Sequence, residues 1–324
     1  MTLPGDFISD SASAFGPATI GNMTVGFDVL GGTLSGVGDT VHLQLRPLKS
    51  GETSQVTIEG IEGIDSEKLP LDAEKNTAGK AVIAFLKGES LCVELSLTIE
   101  KGIPLGSGLG GSAASAVAAV VALNALLRKP VSPTQLLEYA LEGEAVASGA
   151  KHADNVTPCL LGGLVGVFSV EPLLVRSIPF PTGMSVAVVK PDVGIKTEEA
   201  RALLLETVPK NLVTKQQARL AGFILGCMQN DIELMGQSFK DDWIEPQRKK
   251  LIPHFDAVKE AAMGQGVLGA SISGAGPAIF ALCESHTAAQ AAAFRMKKVY
   301  EDAEINVSSW SCEIPHQGAY LLNA

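Results

Sequence analysis

The stretch Pro104-Leu-Gly-Ser-Gly-Leu-Gly-Gly-Ser-Ala-Ala-Ser115 decides how this chain is read. Gly106, Gly108, Gly110 and Gly111 permit positive φ and a close approach of the backbone to a ligand. The run from Ser112 to Leu127 carries no charge and is mostly Ala, Val and Leu, which predicts a buried helix opening directly out of the turn. The start of such a helix offers unpaired N–H groups and the positive end of its dipole, so it is an anion site. Phosphate is its natural guest, and the expected ligand is a nucleoside triphosphate.

Two other phosphate motifs fit less well. Gly106-x-Gly-x-x-Gly111 satisfies the dinucleotide pattern, but that pattern requires the loop to follow its strand at once. Here Lys101-Gly-Ile-Pro104 intervenes, and near position 131 Val131-Ser-Pro enters a helix where an acidic strand end is needed. A Walker loop is excluded because no Lys-Ser/Thr follows the last glycine. A plain glycine turn between packed elements is the remaining alternative.

Composition narrows the class. The chain has 324 residues, 46% hydrophobic and 19% charged, enough apolar material for a full core. A net charge of −10 argues against general nucleic-acid binding, which needs a basic footprint. Local anion binding by backbone amides and a few Arg remains open. The five Cys (Cys92, Cys159, Cys227, Cys283, Cys312) have no CxxC spacing, so a reducing cytosol fits better than a disulfide framework or zinc site. Met1-Thr-Leu-Pro-Gly-Asp-Phe has no basic or apolar leader pattern, and the helix after Ser112 is too short and Ala-rich for a membrane span.

Strands are expected at Thr40–Arg46, Gln55–Gly60 and Leu91–Glu100, where polar and apolar residues alternate, and at Leu160–Val170, entered through a glycine turn. Helices are expected over Asn76–Leu86 and from Ser132-Pro, a cap followed by Pro at the first helical position. Glu171 to Gly183, with Pro172, Pro179 and Pro181, is the candidate junction between lobes at 1–175 and 176–324. The second lobe then reads as a strand at Met184–Lys190 and helices near Thr197–Leu205, Lys215–Met235 and Phe255–Met263. Two strands around the 267–282 glycine turn, a helix over Ala288–Tyr300 and a strand over Ile305–Cys312 complete it. Strands and helices mixed in both halves make an α+β protein of two lobes.

Three separated segments together resemble the GHMP kinases, which include galactokinase, homoserine kinase and mevalonate kinase. They are Pro17-Ala-Thr-Ile-Gly-Asn-Met-Thr-Val-Gly-Phe-Asp-Val-Leu-Gly31, the Pro104–Ser115 loop, and Ser273-Gly-Ala-Gly-Pro-Ala-Ile-Phe280. Asn22-x-x-x-Gly-Phe-Asp28, His152-Ala-Asp-Asn155 and Glu245-Pro-Gln-Arg248 narrow the resemblance to the homoserine kinases within that family. The loop departs from the family's more usual Gly-Leu-Gly-Ser-Ser, because Gly111 replaces the first Ser.

The resemblance implies a two-lobed GHMP kinase fold. The N-terminal, ATP-binding lobe is like ribosomal protein S5 domain 2, with a left-handed β-α-β unit; the C-terminal lobe is ferredoxin-like, and the protein is a cytoplasmic homodimer. It implies transfer of phosphate from ATP, with Mg²⁺, to L-homoserine, a step of threonine biosynthesis. The loop Pro104, Leu105, Gly106, Ser107, Gly108, Leu109, Gly110, Gly111, Ser112, Ala113 and Ala114 would wrap the nucleotide phosphates, and Asn76 would contact adenine or ribose. Asn76 is also a good helix cap, as is Ser112. Ser112 and Glu144 would hold Mg²⁺, with Glu142 the competing carboxylate, since two residues apart on a helix they face different ways. Asn155 would contact the acceptor hydroxyl, Asp154 is either base or structural, and His152 is read as structural. Arg201 and Arg248 would bind the acceptor carboxylate, Asn22 and Asp28 its ammonium and hydroxyl end, and Ser273–Pro277, with Gly274 touching the substrate, would close the site. Other small-molecule GHMP kinases, of mevalonate or shikimate type, and an inactive ligand-binding protein of this fold are the alternatives.

Overall fold

The computed structural model describes residues 5–46, 48, 53–149 and 151–322; residues 1–4, where the N-terminal stretch read above begins, lie outside them. The first lobe opens with an antiparallel pair, β1 (Ser11–Gly21) and β2 (Leu30–Arg46). It continues through β3 (Gln55–Gly63), α1 (Thr77–Gly88), β4 (Glu94–Lys101), α2 (Gly111–Leu126), α3 (Pro133–Ser148), α4 (Ala153–Leu161), β5 (Leu164–Val170) and β6 (Leu173–Ile178). The second lobe contains β7 (Ser185–Pro191), α5 (Thr197–Ala202), α6 (Lys210–Gln229), α7 (Ile232–Ser238), α8 (Glu245–Arg248) and α9 (Phe255–Ala262). Then come β8 (Val267–Ile272), β9 (Ile279–Cys283), α10 (His286–Asp302) and β10 (Val307–Glu313), before β11 (Tyr320–Leu322) returns to pair with β1.

Among the described residues the first sheet has seven strands, in the order β11-β1-β2-β4-β3, with β5 paired to β2 and β6 to β5. β3 and β4 run parallel with α1 as their crossover. The second sheet is antiparallel in the order β10-β7-β9-β8. Numbered within the lobe that order is fourth, first, third, second, with a helix ahead of β8 and another ahead of β10, which is the ferredoxin-like pattern. The chain changes sheet between Ile178 and Ser185.

Local chemistry explains most boundaries. Ser132 caps α3 in a full capping box with Gln135, and Pro133 occupies its first turn. The helix expected over Lys215–Met235 is two helices, because Asn230 ends α6 at φ 56° and the Asp231 side chain caps α7. The strand expected over Leu160–Val170 through a glycine turn is β5, starting at Leu164: Gly162 and Gly163 make the turn at φ 80° and 68°, while Leu160 and Leu161 still belong to α4. β1 is absent from the alternation signal, since Pro17 to Gly21 is buried throughout. No helix among the described residues is long and apolar enough to cross a membrane.

α2 is buried along its length, and its start is pinned from below. Asp39 is fully buried and accepts four hydrogen bonds: from Lys101 Nζ, from Ser115 Oγ (2.7 Å), and from the backbone N–H groups of Gly102 (3.1 Å) and Ile103 (3.2 Å). Lys101 Nζ also donates to the Gly111 carbonyl at 3.1 Å. The end of β4, the loop entry and the first turn of α2 are thus tied to one carboxylate on β2. Lys101→Met leaves Asp39 as a buried carboxylate without its cation, which costs about 3–5 kcal/mol. A large fall in melting temperature is expected in a thermal scan; an unchanged one contradicts this account.

Candidate active site

The loop between β1 and β2 is held in an uncommon conformation. Asn22, Met23, Thr24 and Asp28 have φ of 70°, 39°, 66° and 58°. Asn22 keeps it there: its Oδ1 accepts from the Asp28 N–H (3.1 Å), and its Nδ2 donates to the Gly274 carbonyl (2.9 Å) in the other lobe. The loop thereby carries Phe27 and Asp28 to the lobe boundary.

The glycine loop meets the second lobe at the same place. Ser273 Oγ donates to the Gly108 carbonyl (2.7 Å), the Ala278 N–H to the Ser107 carbonyl (3.0 Å), and the Gly274 N–H to the Gly21 carbonyl (3.2 Å). Gly106, Gly108 and Gly110 have φ of 57°, 80° and 67°. Gly110 is the N-cap of α2, so Ser112 lies inside the first turn and is not a cap. Its hydroxyl remains available to a ligand. A Cβ on Gly110 would collide with Thr19 Oγ1, the hydroxyl that donates to Asn155 Oδ1 (2.8 Å). With that oxygen engaged, Asn155 offers its Nδ2 as a donor.

These elements enclose a cavity of about 990 Å³, room for a nucleotide and a small acceptor. Most residues singled out in the sequence line it: Pro104 to Gly108, Gly110 to Ser112, Glu144, Asp154 and Asn155 from the first lobe; Asn22 and Asp28 from the β1–β2 loop; Arg201, Arg248 and Gly274 from the second lobe. Four do not. Asn76 is buried away from the cavity, with Oδ1 capping α1 through the N–H groups of Ala78 and Gly79 and Nδ2 donating to the Pro70 carbonyl. Leu109 is buried beneath the loop, its carbonyl accepting from the Thr19 N–H, and Ala113 and Ala114 are packed inside the core. Glu142 points elsewhere and pairs with Lys151 at 2.8 Å.

The acidic chain makes a charge-balanced site. Asp28, Glu144, Asp154 and Glu198 line the cavity with Lys68, Lys196, Arg201 and Arg248. Arg201 Nη2 donates to both oxygens of Asp28 (2.8 and 3.0 Å), and its Nε donates to His152 Nε2 (3.1 Å). That bond puts a neutral His152's proton on Nδ1, which lies 3.8 Å from Glu144 Oε1. Arg248 is buried, donating from Nε to the Ala200 carbonyl (3.3 Å) and from Nη1 to the Gly274 carbonyl (3.0 Å). Both guanidinium groups lie over the Phe27 ring, at 5.6 and 5.0 Å. Burial and the neighbouring Arg201 pull Arg248 below the usual guanidinium value. Burial first, and then the charges of Asp28 and Glu144, push Asp154 well above the usual carboxylate range.

The donor set fits Mg²⁺ bound with a nucleotide. Ser112 Oγ and the buried Glu144 carboxylate are hard oxygen donors beside the glycine loop. The described residues contain no group of three His, Cys, Asp or Glu side chains able to hold a metal by themselves. Thr19, His152 and Lys68 are the contributors that sequence reasoning passes over or reads as merely structural. Thr19 lies within the Pro17–Gly31 motif and His152 within His152–Asn155, while no motif contains Lys68.

Fold and site together define a small-molecule kinase of the GHMP class. Residues 76–163 match the GHMP kinases N terminal domain and residues 223–302 the GHMP kinases C terminal domain. A homoserine kinase of Xylella fastidiosa (strain M12) is 42% identical over 311 residues, covering 96% of this chain and 94% of that protein. One from Chlorobium phaeovibrioides is 39% identical, covering 96% and 99%. The crystal structure of homoserine kinase from Cytophaga hutchinsonii superposes with a TM-score of 0.92 at 40% identity, covering 99% of this chain and all of that one. The chain belongs to the homoserine kinase family.

Gly110→Ala tests the loop geometry. A side chain at φ 67° costs roughly 1–2 kcal/mol and displaces Thr19 from Asn155. Nucleotide affinity measured by calorimetry is expected to fall at least tenfold. Unchanged affinity in a folded variant contradicts the assignment of this loop.

Proposed function

We propose that this chain transfers the γ-phosphoryl group of ATP to the side-chain hydroxyl of L-homoserine, releasing ADP and O-phospho-L-homoserine, as in threonine biosynthesis. The observation that carries the reading is a zwitterion receptor, Asp28 with Arg201 and Arg248, in the same cavity as a glycine loop at a helix N-terminus. An amino-acid acceptor needs a cation for its carboxylate and an anion for its ammonium group. The arriving zwitterion replaces the Arg201–Asp28 pair with two pairings of its own. Arg suits the carboxylate because its planar fork donates two parallel bonds. An acceptor without an ammonium group would leave Asp28 uncompensated.

Phosphoryl transfer asks the protein mainly for positioning and charge neutralisation. The N–H groups of the loop and the first turn of α2 receive the phosphate oxygens. Ser112 and Glu144 would hold Mg²⁺, which would supply neutralisation of phosphate charge. Asn155 Nδ2 orients the acceptor hydroxyl. Asp154 is a charged neighbour in this reading and not an obligatory base. Two of the causes that raise its proton affinity are Asp28 and Glu144, and ligands neutralise both when the site is loaded. The five cysteines have no CxxC spacing and four of them are buried, which supports a reducing cytosol, and the homodimer belongs to the same proposal.

Two substitutions test these roles. Arg248→Leu is expected to raise the KM for homoserine by about a hundredfold, the loss of a charge-assisted contact, and the KM for ATP far less. An equal effect on both removes Arg248 from the acceptor site. Asp154→Asn is expected to lower kcat by less than tenfold, because a loose transition state needs little activation of the nucleophile. A loss of about 10²–10⁴ in kcat would make Asp154 a general base.

A further inference from the structure

Arg248 stands on α8, a single turn of four residues, too short to hold its own direction. The fixing groups lie behind it, away from the cavity. Asp241 accepts the backbone N–H groups of Trp243 (2.8 Å), Ile244 (2.9 Å) and Glu245 (2.8 Å), which closes the start of the turn. Glu245, 7% exposed, receives Lys259 Nζ of α9 at 2.5 Å and Ser271 Oγ of β8 at 2.6 Å. Ser271 lies three residues before Gly274, whose carbonyl accepts from Arg248 Nη1. One carboxylate therefore joins the helix that carries Arg248, the helix packed behind it, and the strand leading to the turn that receives its guanidinium.

We propose that Glu245, with Lys259 as its counter-ion, is the positioning residue that aims Arg248 at the acceptor's carboxylate. The proposal rests on the reading of Arg248 as the carboxylate clamp. Glu245 does not line the large cavity; it borders a small one on the far side of Arg248, together with Thr24, Phe27 and Ser271. A carboxylate buried there raises its own proton affinity, and Lys259 and Ser271 oppose that rise. A pair whose only task was stability could be replaced by apolar residues with little loss. Here the pair fixes one guanidinium whose alignment sets a bidentate contact, and a displacement of about 1 Å at such a contact costs up to a hundredfold.

The test is steady-state kinetics on Glu245→Gln and Lys259→Met, each made in the natural chain and in an Arg248→Lys background. Lys259 is on the partly exposed side of the pair, so its variant reports even where Glu245→Gln folds poorly. Expected is a rise of about tenfold in the homoserine KM, with the KM for ATP within about twofold. In the Arg248→Lys background the same substitutions should add less than about twofold, because coupled residues are not additive. A homoserine KM unchanged by both variants overturns the proposal, as does an equal rise in both backgrounds or a parallel rise in the KM for ATP. If Arg248→Lys alone leaves the homoserine KM unchanged, the clamp reading itself fails and this inference falls with it. If Arg248→Lys raises it and neither Glu245→Gln nor Lys259→Met does, only the inference fails.

Discussion

The four hydrogen bonds converging on Asp39 are the constraint on which the site depends. A carboxylate with no solvent contact is tolerable only when every lone pair is used and a cation is close. Lys101, Ser115 and two backbone amides meet that demand, and between them they belong to three parts of the strand–loop–helix unit. Lys101 is the last residue of β4, Gly102 and Ile103 begin the loop, and Ser115 lies in the first turns of α2. Satisfying one buried charge therefore sets the angle at which the helix leaves the strand. The glycines then have a fixed frame within which their positive φ values place the N–H groups.

A second constraint joins the two lobes. The Gly274 carbonyl takes donors from Asn22 in the first lobe and Arg248 in the second, while Ser273 and Ala278 bond to the backbone of Ser107 and Gly108. The turn that closes over the glycine loop is thus the turn that receives both Asn22 and Arg248. Phosphoryl transfer gains most from such shared geometry, since its rate depends on the alignment of donor and acceptor oxygens more than on any one side chain. The strained Asn22–Asp28 loop is part of the same arrangement, held by both ends of the Asn22 amide.

The sequence carries local chemistry legibly. Gly106, Gly108 and Gly110 announce themselves because only Gly adopts their φ values readily, and α2 because its span has no charge. Short polar residues carry two meanings there. Asn76 and Ser112 each read as cap or ligand contact, and the structure makes Asn76 a cap and gives the cap of α2 to Gly110. Distant pairings leave no local trace. Thr19 and Asn155 are 136 residues apart, Arg201 and His152 are 49, and Lys101 reads in sequence as a spacer before the glycines. β1 is hidden for another reason: burial on both faces removes the alternation that betrays a strand.

The central claim is that one cavity takes Mg²⁺·ATP and a zwitterionic hydroxy-amino acid. The most direct measurement is coupled ADP release with Mg²⁺·ATP against L-homoserine, mevalonate, shikimate and galactose at equal concentration. Turnover with L-homoserine, well above that with the three acceptors lacking an ammonium group, is the predicted result. Turnover confined to one of those three would contradict the roles given to Asp28, Arg201 and Arg248.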